Sequence, residues 1–124
     1  MSKPLDVLLS AAAALDLALS VEQANKLLAY QQLIRKWNAA YNLVGTSNAA
    51  ELLQKHLLDS LSVISDIKQS PVLDVGSGAG IPGIPLAICK PELAITLLDS
   101  NGKKTRFMRQ VVIELGLSNV QIEQ

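Results

Sequence analysis

Leu5, Leu8, Leu9, Ala12 and Leu15 recur three or four residues apart, the period of one helix face, so the chain opens on a predicted short amphipathic helix. Ser20 with Gln23 three residues on has the form of a capping box, in which each side chain satisfies the other residue's backbone N–H at a helix start. A second helix is predicted from there, with Ala24, Leu27, Leu28 and Ile34 facing inward. Asn48 and Glu51 repeat the signature ahead of a third stripe, Leu52, Leu53, Leu57, Leu61 and Ile64. Residues 42–48 between them, with Gly45, Thr46 and Ser47, read as a loop.

At Ser70 and Pro71 the period changes. Residues 72–75 form a short β-type run that ends in glycines, and residues 95–99 form another. A helix is predicted between them over about 82–89, closed by Pro91, and a longer one over about 103–115, stopped by Gly116 as a left-handed terminator. Residues 119–123 begin a third strand. The order β-α-β-α-β requires right-handed crossovers and a parallel sheet. The predicted fold class is therefore α/β, with a helical appendage over residues 1–69 and the first half of a Rossmann-like domain over 70–124. A doubly wound domain has two such halves, so the expectation is a truncated chain without turnover, prone to self-association through an exposed sheet edge.

Composition narrows the picture. Of the 124 residues 49% are apolar but only 3% aromatic, so the core is built from Leu, Ile, Val and Ala, as suits helices on a parallel sheet. Eleven basic residues balance eleven acidic ones, which excludes a broad electrostatic grip on nucleic acid and leaves only local contacts. The single Cys89 excludes an internal disulfide and reads as helix core in a reducing compartment. Residues 5–19 are apolar, but Asp6 and Asp16 interrupt them and the run is too short to span a bilayer, so a soluble cytoplasmic protein is expected. One histidine without clustered partners offers no metal-ligand set.

The candidate chemistry lies after the first strand. Gly76, Ser77, Gly78, Ala79 and Gly80 follow a strand and precede a helix, where glycines let the backbone approach a ligand and present a helix N-terminus to it. Gly78, Gly80 and Gly83 also satisfy the dinucleotide spacing G-x-G-x-x-G, so spacing does not choose the ligand. Charge favours S-adenosylmethionine: Asp74 at the strand end would repel a pyrophosphate but attract ammonium and sulfonium charges. A bland alternative for Asp74 is a cap on neighbouring loop amides. Asp99, about 20 residues beyond the glycines, suits an acid that accepts from both ribose hydroxyls, or else caps the helix beginning at Lys103 beside Ser100 and Asn101.

The run LDVGSGAGIPGIPLAI at residues 73–88 resembles the bacterial small-subunit (16S) ribosomal RNA guanine-N7 methyltransferases, the glucose-inhibited division protein B family. KWNAAYNL at 36–43, HLLDS at 56–60, and LLDS at 97–100 continuing through Lys103, Arg106, Phe107, Arg109 and Gln110 agree with it in order and spacing. The resemblance implies a helical appendage on a Rossmann-like domain, S-adenosylmethionine as methyl donor and a 16S ribosomal RNA guanine as acceptor. By position it assigns Gly76 and Ile81 to the cofactor-contacting loop and Asp99 to the ribose; Asp74, Ser77, Gly78, Gly80 and Ser100 complete the set of cofactor-binding candidates. Family members continue into residues that close the adenine pocket and into a downstream basic segment, which this sequence lacks.

His56 and Asp59 are one helical turn apart and are candidates for the acceptor site, largely through the resemblance; a histidine beside Leu57 and Leu58 is otherwise structural. Lys103, Lys104, Arg106 and Arg109 form the densest basic group, either a phosphate contact or a solvated face. Trp37 and Tyr41 are expected to pack on the α/β part rather than stack on bases. Guanine N7 carries a lone pair and no proton, so no general base is required and no catalytic residue is assigned. The competing functions are a dinucleotide-binding oxidoreductase domain and a non-catalytic helical interaction module.

Overall fold

The computed structural model describes residues 3–41, 49–76 and 80–124, with side chains throughout those spans except at positions 3, 38–41, 49–54 and 56. Helix α1 (Lys3–Ala14) buries Leu5, Leu8 and Ala12 of the predicted stripe, while Leu9 is partly covered and Leu15, also partly covered, follows the helix. Pro4 sits in its first turn, where a missing N–H loses no bond, and Asp6 there suits the helix dipole. Helix α2 (Val21–Tyr41) starts on the predicted capping box: Ser20 N–H donates to Gln23 Oε1 at 2.8 Å, and Gln23 N–H donates to Ser20 Oγ at 3.0 Å. Its fully buried positions are Ala24, Leu27, Tyr30 and Ile34, while Leu28 is only partly covered. Helix α3 (Ala49–Asp66) buries Leu57, Leu61 and Ile64. The predicted cap Asn48 and the side chains of Glu51, Leu52 and Leu53 lie outside the described residues.

Beyond this helical layer come β1 (Val72–Val75), α4 (Gly83–Cys89), β2 (Ile95–Leu98), α5 (Gly102–Leu115) and β3 (Val120–Glu123). The strands pair in the order β1-β2-β3, all parallel, with Val72 opposite Ile95 and Ile95 opposite Val120. In-register residues of parallel neighbours share a face. Val72, Asp74, Ile95, Leu97, Val120 and Ile122 therefore share one face, and Ile95 and Leu97 are buried there. Leu73 and Val75 share the other and are 62% and 67% exposed.

All seven residues of α4 are buried, because it is packed on β2 from one side and on α2 and α3 from the others. Trp37 of α2 meets Phe107 of α5 edge to face, ring centroids 5.6 Å apart, as expected of a packing rather than a base-stacking residue. One hydrophobic cluster thus runs from Leu5 through the sheet to Leu117. Helix α5 ends at Gly116 with φ 64°, the predicted left-handed cap. Among the described residues no helix is long and apolar enough to cross a membrane. The architecture is the incomplete Rossmann-like sheet with N-terminal helices that the pattern predicts.

Candidate functional site at the strand ends

β1 and β2 end side by side. Val75 is opposite Leu98, and Gly76 N–H donates to Leu98 C=O at 2.7 Å, so the glycine turn leaves the sheet directly beside the segment that begins with Asp99. Gly76 has φ 71°, in the left-handed region, and among the described residues a side chain there would meet no atom within 4 Å. Gly80 is buried, and Ile81 packs partly against the core. Ser77 and Gly78 lie outside the described residues.

Asp74 is half-buried on the helix-covered face, and its Oδ2 accepts from Gly83 N–H, the first amide of α4, at 3.1 Å. The capping role is thus realised on one carboxylate oxygen, at the amide that starts α4. Pro82, expected inside the first turn, stands one position earlier as the residue before α4, without a side-chain cap. Gly83 itself is a packing glycine. A Cβ on it would lie 2.2 Å from Leu97 Cδ2 and 2.8 Å from Asp74 Oδ2.

Asp99 does not cap α5. Its Oδ1 accepts from Asn101 N–H at 2.8 Å in a short Asx turn, and Asn101 is the cap, its Oδ1 accepting from Lys103 N–H at 2.9 Å and Lys104 N–H at 3.2 Å. The division of labour is physical: Asn101 is the residue just before the first helical one, where its side chain reaches two free amides. The half-buried Asp99 remains at the strand end and Ser100 is exposed. Lys103, Arg106 and Arg109 are exposed along α5 and Lys104 is half-buried, so the basic group starts near the strand ends and runs away from them. Arg109 borders a shallow apolar groove with Ile113 and Ile122.

On α3, Asp59 is exposed, whereas the side chain of His56 lies outside the described residues, so only the helix that carries both is placed. Cys89 is buried core, and burial pushes its thiol up to about 12 against a smaller opposing effect of Lys90, which makes it a poor nucleophile.

Two side chains of α2 escaped the sequence reading. Tyr30 is fully buried, and burial first and the charge of Asp74 second hold its hydroxyl well above the usual phenol range. The signal was present, since Tyr30 continues the Leu27 and Ile34 stripe. Gln23, read only as a cap, also donates from Nε2 to Ile88 C=O at 3.1 Å and Cys89 C=O at 3.2 Å, the last carbonyls of α4.

The model of the GidB family, described as rRNA small subunit methyltransferase G, matches residues 23–124. Among curated relatives, the ribosomal RNA small subunit methyltransferase G of Marinobacter nauticus is 53% identical over 110 residues, 89% of this chain and 51% of the relative. The protein of that name from Pseudomonas syringae pv. tomato is 55% identical over 108 residues, 87% of this chain and 51% of the relative. The one from Alkalilimnicola ehrlichii is 52% identical over 110 residues, 89% of this chain and 50% of the relative. The chain spans about half the length of the curated relatives it matches. A family match over all but the first 22 residues, on a parallel β-α-β-α-β unit whose first turn carries the glycines, places this chain in the rRNA small subunit methyltransferase G family.

Proposed function

We propose that the protein transfers a methyl group from S-adenosylmethionine to N7 of a guanine in small-subunit (16S) ribosomal RNA, as a soluble cytoplasmic enzyme whose partner is the small ribosomal subunit. The observation that carries this reading is the pairing of strand ends: in a chain of this family, the backbone of Gly76 is hydrogen-bonded to Leu98, the residue before Asp99, so the ends of β1 and β2 from which both residues leave are adjacent. The donor set fits the cofactor. A carboxylate at Asp99 can accept from a ribose diol, and Gly76, exposed and without a side chain, lets a ligand approach its backbone; Ser77, Gly78, Gly80 and Ile81 are proposed to continue the cofactor loop. Asp74, below the turn, contributes negative charge that favours a cationic amino-acid end.

S-adenosylmethionine, when bound, supplies an electrophilic methyl carbon on a sulfonium leaving group. Guanine N7 offers its lone pair, so the residues have no proton to remove; their work is to hold the two partners in line and keep water out. We assign Asp99 and Ser100 to the nucleoside end and Asp74 and Gly76 to the amino-acid end. His56 and Asp59 are proposed at the acceptor side. Residues 1–69 act as the wall that carries them, and residues 70–124 as the cofactor half.

One observation favours a second reading. Gly83 wedged against Leu97 plays the helix-to-sheet packing part of the third glycine in a dinucleotide fingerprint. Calorimetric titration separates the two: we expect S-adenosylhomocysteine to bind and NAD to bind more weakly, and tighter NAD binding sinks the cofactor assignment. For the acceptor, nucleoside mass spectrometry of ribosomal RNA from cells lacking the gene is expected to show one small-subunit 7-methylguanosine missing. Retention of that nucleoside at every small-subunit site rejects the proposed substrate.

A further inference from the structure

The last turns of α2 meet the first turns of α5. Trp37 rests edge to face on Phe107, ring centroids 5.6 Å apart, while at the other end Gln23 and Lys26 line a groove with Gly116, Ser118 and Asn119, just past α5. The two helices therefore run in opposite directions, with the end of α2 beside the start of α5. α5 starts three residues after Asp99, so this seam stands at the strand ends that carry the proposed cofactor site.

The seam gathers one sign of charge. After Glu22, α2 has no acidic residue, and α5 has none before Glu114. Seven of the chain's eleven basic residues, three on α2 and four on α5, fall in those two stretches, which lie far apart in sequence and side by side in the fold. Helix geometry says which of them border the seam, since neighbouring residues are about 100° apart round a helix. Lys36 is about 100° from Trp37 and one turn beyond Leu33, on the flank that at Lys26 meets the end of α5. Arg35 is about 160° from Trp37, on the opposite flank with Leu28 and Gln31. On α5, Lys103 is one turn before Phe107, and Arg106 is about 100° round from it toward solvent. Lys36, Lys103 and Arg106 are all exposed, so three cations from two helices border one seam.

Like charges brought together in this way repel, and the packing of Trp37 on Phe107 does not need them. The ring contact occupies both aromatic side chains of the seam, which leaves no aromatic anchor for a protein partner. Cations without such an anchor suit a phosphate backbone, which is held by charge and carries no sequence.

We propose that this seam is a phosphate-binding rim for the RNA acceptor, with Lys36 of the helical appendage and Lys103 and Arg106 of α5 holding one stretch of backbone. The inference rests on the reading of small-subunit ribosomal RNA as the substrate. It makes α2 part of the surface that holds RNA, beside the strand ends where the methyl donor is proposed to sit.

The test is filter binding of a 16S ribosomal RNA transcript over a salt series, with wild-type protein, Lys36→Gln and Arg35→Gln. The two variants lose the same charge from neighbouring exposed sites, so a diffuse field changes both alike and a rim changes only one. Lys36→Gln is expected to flatten the slope of log affinity against log salt by about one unit, and Lys36→Gln combined with Arg106→Gln by about two. Arg35→Gln is expected to keep the wild-type slope. An unchanged slope in Lys36→Gln, or equal losses in Lys36→Gln and Arg35→Gln, overturns the inference. Displacement of the RNA by polyglutamate at equal charge does so too, because it marks a surface for acidic protein. Wild-type protein that binds no ribosomal RNA overturns the RNA reading together with this inference, whereas wild-type binding beside an unchanged Lys36→Gln overturns this inference alone.

Discussion

Gly83 has no side chain because α4 begins in van der Waals contact with the sheet. The atom a Cβ would strike first belongs to Leu97, which is 0% exposed and has nowhere to swing, and the second belongs to the carboxylate that anchors the helix. Gly83→Ala is therefore expected to lower the unfolding free energy by about 1–3 kcal/mol, the range for forcing extra carbon into a filled core. Denaturant midpoints at unchanged slope would measure it; an unchanged midpoint would mean that the helix start can slide. Asp99 presents a different case, a half-buried strand-end residue proposed to hold a ligand. Replacing Asp99 by Ala removes the Asx-turn bond to Asn101 and, on the proposed function, charged hydrogen bonds to ribose worth roughly 1.5–3 kcal/mol. The expected result is about 10- to 150-fold weaker S-adenosylhomocysteine binding with nearly native stability. A stability loss without an affinity loss would reduce Asp99 to a turn residue. The carboxylates were legible as candidates because they terminate β-type runs. Their bonds were not legible, since whether Asp99 or Asn101 caps α5 depends on where the helix starts to within two residues.

At the scale of elements, periodicity identified the N-terminal helices and the β-type runs, because each repeats at its own period, whereas α4, buried on every side, was placed by its position between two strands and by Pro91. What periodicity misses is which side chain reaches out of its own element. Gln23 closes a local box with one amide atom and holds another helix, 66 residues away, with the other. No local pattern carries the second bond. Asn119 does the same between α4 and β3, donating to Leu93 C=O at 3.0 Å and Ala87 C=O at 3.3 Å. Gln23→Glu separates the two functions of the amide: it keeps an oxygen for Ser20 N–H but sets a carboxylate against the Ile88 and Cys89 carbonyls. A loss of about 1–3 kcal/mol in unfolding free energy is expected, larger than for Ser20→Ala, which removes one exposed cap bond of about 1 kcal/mol. Equal losses would show that the contact with α4 adds nothing to the cap.

For the molecule as a whole, charge is the feature that limits what it can recognise. Eleven positive and eleven negative side chains cancel, so no general field draws in a polyanion, and any RNA contact must come from a local concentration of one sign. α5 offers one. Lys103, Arg106 and Arg109 are exposed at intervals of three residues, spanning roughly a third of the helix circumference over a rise of about 9 Å. The first of them lies four residues beyond Asp99. A helix so placed begins at the proposed cofactor site and leads away from it, the geometry needed to hold a backbone whose modified base reaches the methyl donor. RNA helices are recognised largely by shape and phosphate contacts, which such a short stripe can supply in part. Replacing Arg106 and Arg109 by Gln should therefore lower methylation of small-subunit particles and flatten its dependence on salt, by about one to two units in the slope of log affinity against log salt. S-adenosylhomocysteine binding should stay close to wild type, because neither arginine is placed among the residues that hold the nucleoside. Filter binding across a salt series, run beside calorimetry on the same preparations, distinguishes the outcomes. An unchanged salt slope would return both arginines to the status of a solvated helix face, and a parallel loss of cofactor affinity would place them at the wrong site.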